Sequence, residues 1–134
     1  MALQITKDSI DLGIITKDVA AMLVFYQDTL GLEPDGEWQM PGGGHMTRLK
    51  CGTTVVKLVV NAQQPPAESP PGGIGGATGY RYFTISVSNI AEATSACEDA
   101  GYNIAVPVTE VRPGVNISII ADPDGNWVEL LQMA

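Results

Sequence analysis

A single pattern of strand, helix and three further strands runs through residues 5–61 and again through residues 80–134. In the first copy Ser9–Thr16 reads as a strand. Asp18 follows as an N-cap, its short carboxylate suited to the free amide hydrogens of a first helical turn. Val19–Leu30 carries an apolar face at helical spacing, and Gly31 is placed to stop the helix in a left-handed conformation. Leu32–Met40 is a candidate strand interrupted by Pro34 and Gly36. Met46–Cys51 and Thr54–Asn61 pair as a hairpin around Gly52-Thr53. The second copy reads Tyr80–Ser88 as strand, Asn89 as N-cap, Ile90–Ala100 as helix, Gly101 as stop and Ile104–Val108 as strand. Val111–Val115 connects it to a hairpin of Val115–Ala121 and Trp127–Leu131. The turn of that hairpin is Asp122-Pro123-Asp124-Gly125, where Asp accepts, Pro presets φ and Gly closes. Laying IDLGIITKDVAAM on YRYFTISVSNIAEA sets Asp18-Val19 on Asn89-Ile90 at an offset of 71. Laying TTVVKLVV on GNWVELLQ sets Val56-Lys57-Leu58 on Val128-Glu129-Leu130 at an offset of 72.

Between the copies lies AQQPPAESPPGGIGGATG, residues 62–79, a linker or a cover for an active site. The length of 134 residues suits one domain. A net charge of −8 argues against nucleic acid and anionic membranes as partners. No apolar run approaches a membrane span, and Met1–Ile10 lacks the pattern of a secretory signal, so a cytoplasmic location is expected. Cys51 and Cys97 are too few for a disulfide framework and lack metal-ligand spacing.

Three stretches, FYQDTLGL, YFTISVSNIAEATSACEDAG and DPDGNWVELLQ, resemble the vicinal oxygen chelate superfamily of glyoxalase I, bleomycin-resistance proteins and extradiol dioxygenases. The resemblance covers nearly the whole chain as one domain, 1–134. It implies an α+β fold of paired βαβββ modules whose sheets curl into a partly open barrel around a central cavity, and a homodimer. Metal-using members take ligands from the first and last strand of each module. The matching positions here are Asp11, Lys57, Tyr82 and Glu129. Glu129 matches cleanly, Asp11 and Tyr82 are poorer, and Lys57 is a cation where a divalent metal wants an anion. The only histidine, His45, ends the expected flexible loop Pro41–His45 and matches no ligand position. An extradiol dioxygenase needs two histidines and a carboxylate at iron, and glyoxalase I chemistry needs a polarising metal. No cofactor is therefore expected. A divalent metal held by Glu129 and Asp11 is the family alternative.

If the implied fold holds, Lys57 and Glu129 point into one cavity, paired, with Asp11 as a second acceptor. A two-residue loop at Gly52-Thr53 sets Cys51 against Thr54, Lys50 against Val55 and Arg48 against Lys57, so Arg48, Lys50 and Lys57 line or rim that cavity. These are three of the chain's seven cations, which suggests an anionic or carbonyl ligand. Tyr82 and Trp127 are the expected aromatic contacts, and Asn116 and Ser118 the expected polar contacts of the same wall. Two functions follow. One is metal-independent proton transfer of the isomerase or lyase type, with Lys57 stabilising an oxyanion, Glu129 or Asp11 as base and Tyr82 hydrogen bonding. The other is small-molecule binding without chemistry, of the bleomycin-resistance type.

Overall fold

A computed structural model describes residues 2–134. The chain divides into two compact units, Met1–Pro66 and Ala67–Ala134. The first unit contains β1 (Leu12–Ile15), α1 (Val19–Leu23), a π-helical segment (Val24–Thr29), β2 (Glu33–Gln39), β3 (His45–Cys51) and β4 (Thr54–Val60). Its sheet runs β1-β4-β3-β2, with β1 parallel to β4 and the other pairs antiparallel. The second unit contains β5 (Tyr82–Ser86), α2 (Ile90–Asp99), β6 (Ile104–Arg112), β7 (Val115–Ala121) and β8 (Trp127–Met133). Its sheet runs β5-β8-β7-β6, again with one parallel pair, β5 with β8. The α+β class and the βαβββ order of both modules are as the sequence implied, and each sheet is open, with two edge strands. No helix among the described residues is long and apolar enough to cross a membrane.

Each sheet has a face covered by its own helix and a face turned away from it. In β8, Val128 and Leu130 lie on the helix face and are buried; Trp127, Glu129 and Leu131 lie on the open face and are half-buried. The alternation follows from the two-residue period of a strand. In β4 the fully buried Leu58 and Val56 stand on the helix face with Leu49 of β3. Burying these five apolar side chains contributes roughly 1.5–3 kcal/mol each. The β3–β4 register has Cys51 opposite Thr54, Lys50 opposite Val55 and Arg48 opposite Lys57, as a two-residue loop requires.

Several element boundaries differ from expectation. The first strand is four residues rather than Ser9–Thr16. Asp18 caps α1 as expected, accepting from the Ala21 amide at 3.0 Å, but the helix changes after Leu23 to a wider π turn in which the Leu30 amide reaches back to the Phe25 carbonyl at 2.9 Å. Gly31 then stops it at φ +82°. Asn89 stands at the start of α2 without capping it through its side chain. The first free amide, Ile90 N, donates instead to Gln132 Oε1 of β8 at 2.8 Å. β6 continues to Arg112, which reduces the expected 111–115 connection to a tight turn at Pro113-Gly114.

Candidate functional site

On the open face of the first sheet, Lys57 of β4 stands between Gly13 of β1 and Arg48 of β3. Gly13 has no side chain, and a Cβ placed there would meet nothing within 4 Å, so the row has open space beside the lysine stem. Arg48 is held: its Nη2 lies 3.4 Å from Asp35 Oδ2, and its guanidinium carbon lies 4.3 Å from the centre of the Trp38 ring. Lys50 is more exposed and reaches the other Asp35 oxygen only at 4.0 Å. Among the described residues no hydrogen bond or contact ion pair reaches the Lys57 ammonium.

Asp11 belongs to the same face but is spoken for. Its Oδ1 accepts from Lys7 Nζ at 2.7 Å and from the Val55 amide at 2.9 Å. The Lys7 hydrogen bond first, then the Val55 amide, hold its carboxyl below the ordinary value of 3.8, and the charges of Lys7 and Lys57 add to this. A depressed carboxylate is a weaker base, so the geometry turns Asp11 from candidate base into an anchor for the N-terminal segment. The sign of the pH dependence follows. Stability from the Lys7–Asp11 contact is present above the unfolded value of 3.8 and is lost as pH falls through the lower folded value. Asp11→Asn keeps an oxygen for Val55 but not the charge. Thermal melts should therefore separate it from the parent at neutral pH and not in strong acid. An equal gap at both pH values would mean that the charge is not what matters.

On the open face of the second sheet, Tyr82 is opposite Trp127, Thr84 opposite Glu129 and Ser86 opposite Leu131. Thr84 Oγ1 donates to Glu129 Oε1 at 2.6 Å. Ile119 flanks Glu129 on its other side. The Gly73 backbone packs against the Trp127 indole so closely that a Cβ on Gly73 would fall 2.1 Å from ring carbons. Tyr82 is 50 % exposed.

Asn116 and Ser118 are not on this wall. Ser118 is opposite Leu130 and Asn116 opposite Gln132, the residues of β8 whose side chains alternate away from Glu129. Ser118 is fully buried and its Oγ lies 2.8 Å from Thr94 Oγ1 of α2, a satisfied hydroxyl pair under the helix. Parity decides this: Ile117 and Ile119, not their polar neighbours, share the face of Glu129. His45 lies 3.2 Å from Glu37 Oε1 across the β2–β3 ladder and joins none of the residues above. Sequence reasoning missed Thr84, Lys7, Asp35, Trp38 and Arg81. The parallel β5–β8 register that sets Thr84 beside Glu129 has no turn to read it from, and an exposed threonine carries no signal of its own.

The sequence profile described as the Glyoxalase/Bleomycin resistance protein/Dioxygenase superfamily matches residues 8–130. The chain belongs to that superfamily. Among solved structures it is similar to a glyoxalase family protein from Bacillus cereus, at 16% identity over 99% of this chain and 98% of that one, with a TM-score of 0.83. A glyoxalase family protein from Enterococcus faecalis gives 24% identity, coverage of 93% and 97%, and a TM-score of 0.72. The antibiotic-binding protein TnmS3 from a Streptomyces species gives 17% identity, coverage of 99% and 100%, and a TM-score of 0.72. At these identities the likeness establishes the fold. No curated protein matches the sequence.

Metal-using members of the superfamily hold a divalent ion, and the residues at the four ligand positions here do not fit one. Asp11 gives its Oδ1 to two donors, Lys57 is an ammonium, and Tyr82 pairs with Trp127 rather than with Glu129. Glu129 is the one clean match, and a threonine hydroxyl already donates to it. Among the described residues no three of His, Cys, Asp and Glu stand close enough to share an ion. A hard divalent cation wants several oxygen or imidazole donors and is repelled by a neighbouring ammonium.

Proposed function

We propose that this superfamily member binds a small organic anion or carbonyl compound on the open face of its first sheet, without a metal, and that Lys57 holds the ligand oxygen. The observation that carries the reading is the row Gly13–Lys57–Arg48: a half-buried lysine with open space on one side and a second cation on the other. Like charges placed directly opposite across strands repel. Asp35 and Trp38 relieve Arg48 of part of that cost, whereas an anionic ligand would relieve Lys57. TnmS3 shows that the fold is used by an antibiotic-binding protein, which supports binding as a sufficient function.

A second reading is proton transfer of the isomerase or lyase type with Glu129 as base. It is favoured by the Thr84 hydrogen bond, which fixes one carboxylate oxygen and leaves the other for a substrate proton. Both readings are tested with benzoate, phenylpyruvate and pyruvate as probes, and benzamide as the neutral control. Calorimetry should show saturable binding of the anions over benzamide, weakened at least about tenfold in Lys57→Met, the scale of one charge-assisted hydrogen bond. Equal binding of benzamide and benzoate, or no change in Lys57→Met, overturns the first reading. For the second, deuterium should enter the methyl group of pyruvate in heavy water with the parent protein and not with Glu129→Gln. No exchange with either protein removes it.

A further inference from the structure

Residues 69–76 have no strand to hold them. Their regular structure is the 3₁₀ turn Gly73–Gly75, closed by Gly75 N to Gly72 O at 3.2 Å and Gly76 N to Gly73 O at 3.1 Å. Every residue of the stretch except Gly73 is exposed. The fastening comes from one side chain. Arg81 Nε donates to Gly73 O at 2.7 Å, Nη2 donates to Pro70 O at 2.6 Å and to Pro71 O at 3.3 Å, and Nη1 donates to Ser69 Oγ at 3.4 Å. A guanidinium suits this task because its donors are fixed in one plane and fan outward, so several carbonyls of a curved backbone meet it at once. A lysine in the same place would offer a single point of attachment. The other end of the fastening is Gly73, laid on the Trp127 indole with φ +54°, a backbone shape that a side chain would strain.

We propose that residues 69–76 form a strap that opens and closes over the Trp127 end of the open face of the second sheet, with Arg81 as its latch. This stands on the second sheet alone and makes no use of Lys57. Glu129 lies two residues along the same strand face from Trp127, so the strap governs approach to Glu129 from that end. The segment opens on its own because it buries only a glycine backbone and is tied by hydrogen bonds from one residue. Such a unit releases at a small fraction of the free energy of global unfolding. Arg81 is a positioning residue: it acts through the strap and Trp127.

Two measurements test this. In the first, Trp38→Phe leaves Trp127 as the sole tryptophan of the two in the chain, and acrylamide quenching reports its cover. Arg81→Met in that background should raise the quenching constant about two- to threefold, with far-ultraviolet circular dichroism unchanged. Loss of the stronger latch bonds should raise the opening constant of the strap at least about a hundredfold. Arg81→Lys should restore only a small part. Unchanged quenching in Arg81→Met overturns the proposal. The second measurement uses the parent protein and does not depend on any variant folding. Amide exchange at Gly75 and Gly76 should run through a local opening, insensitive to low denaturant, while Val128 and Leu130 exchange only on global unfolding. Exchange of the glycine amides at the global rate would also overturn the proposal.

Discussion

Asp122→Ala is expected to destabilise the protein by about 3 kcal/mol, read as a lowered urea midpoint at unchanged slope. Asp122 opens the turn of the last hairpin and is only 4 % exposed. Its Oδ1 accepts from the Asp124 and Asn126 amides, both at 2.9 Å, and its Oδ2 accepts from Asn126 Nδ2 at 2.9 Å. Alanine leaves three part-buried donors without their charged acceptor, and an unmet buried donor costs about 1–3 kcal/mol. The Gly125 amide to Asp122 carbonyl bond at 2.9 Å survives, so the turn still forms and the loss is one of energy rather than of fold. Asp122→Asn should fall between, because the amide keeps one acceptor and turns a donor toward Asn126. A loss below about 1 kcal/mol in Asp122→Ala would mean that Pro123 and Gly125 fix the turn by backbone preference alone.

Leu58→Ala is expected to cost about 3 kcal/mol, while Lys57→Met one residue away costs nothing or stabilises slightly. Leu58 is fully buried on the helix face of β4, and alanine there leaves a cavity that the neighbouring strands cannot close. Lys57 is half-buried on the other face opposite Arg48, so methionine keeps the aliphatic stem and removes a like charge together with its weak attraction to Asp11. Chemical denaturation of the two variants side by side checks the facing of the strand directly. Similar losses for both would mean that the assignment of the two faces is wrong. If Lys57→Met weakens anion binding while holding or raising stability, the lysine is retained for binding at the expense of stability.

Much of the fold was legible because both copies spell it in local signals. Gly31 and Gly101 mark helix ends, Asp18 marks a beginning, and Gly52-Thr53 fixes the β3–β4 register down to individual pairs. Where information was not local, the reading failed. Asn89 has the chemistry of a cap, but the Ile90 amide is met instead by Gln132, 42 residues further on from Ile90, which no neighbour in sequence announces. Polar type alone places Asn116 and Ser118 on the wall of Glu129, and the β7–β8 register puts them one parity away. Asp11 reads as an available carboxylate, but Lys7 and the Val55 amide occupy its Oδ1. Polar residue type was readable; the partner that each polar group had chosen was not.

The π turn between Val24 and Thr29 bears on how this chain can be compared with its relatives. Each of its backbone rings encloses one more residue than an α-helical ring does. The segment thus stores an extra residue between two fixed posts, the Asp18 cap and the Gly31 stop, without lengthening the helix by a full turn. Phe25 and Tyr26, adjacent in sequence, are both fully buried there and meet edge to face at 4.7 Å. A relative whose helix is regular across this segment would align with one residue fewer between these two posts.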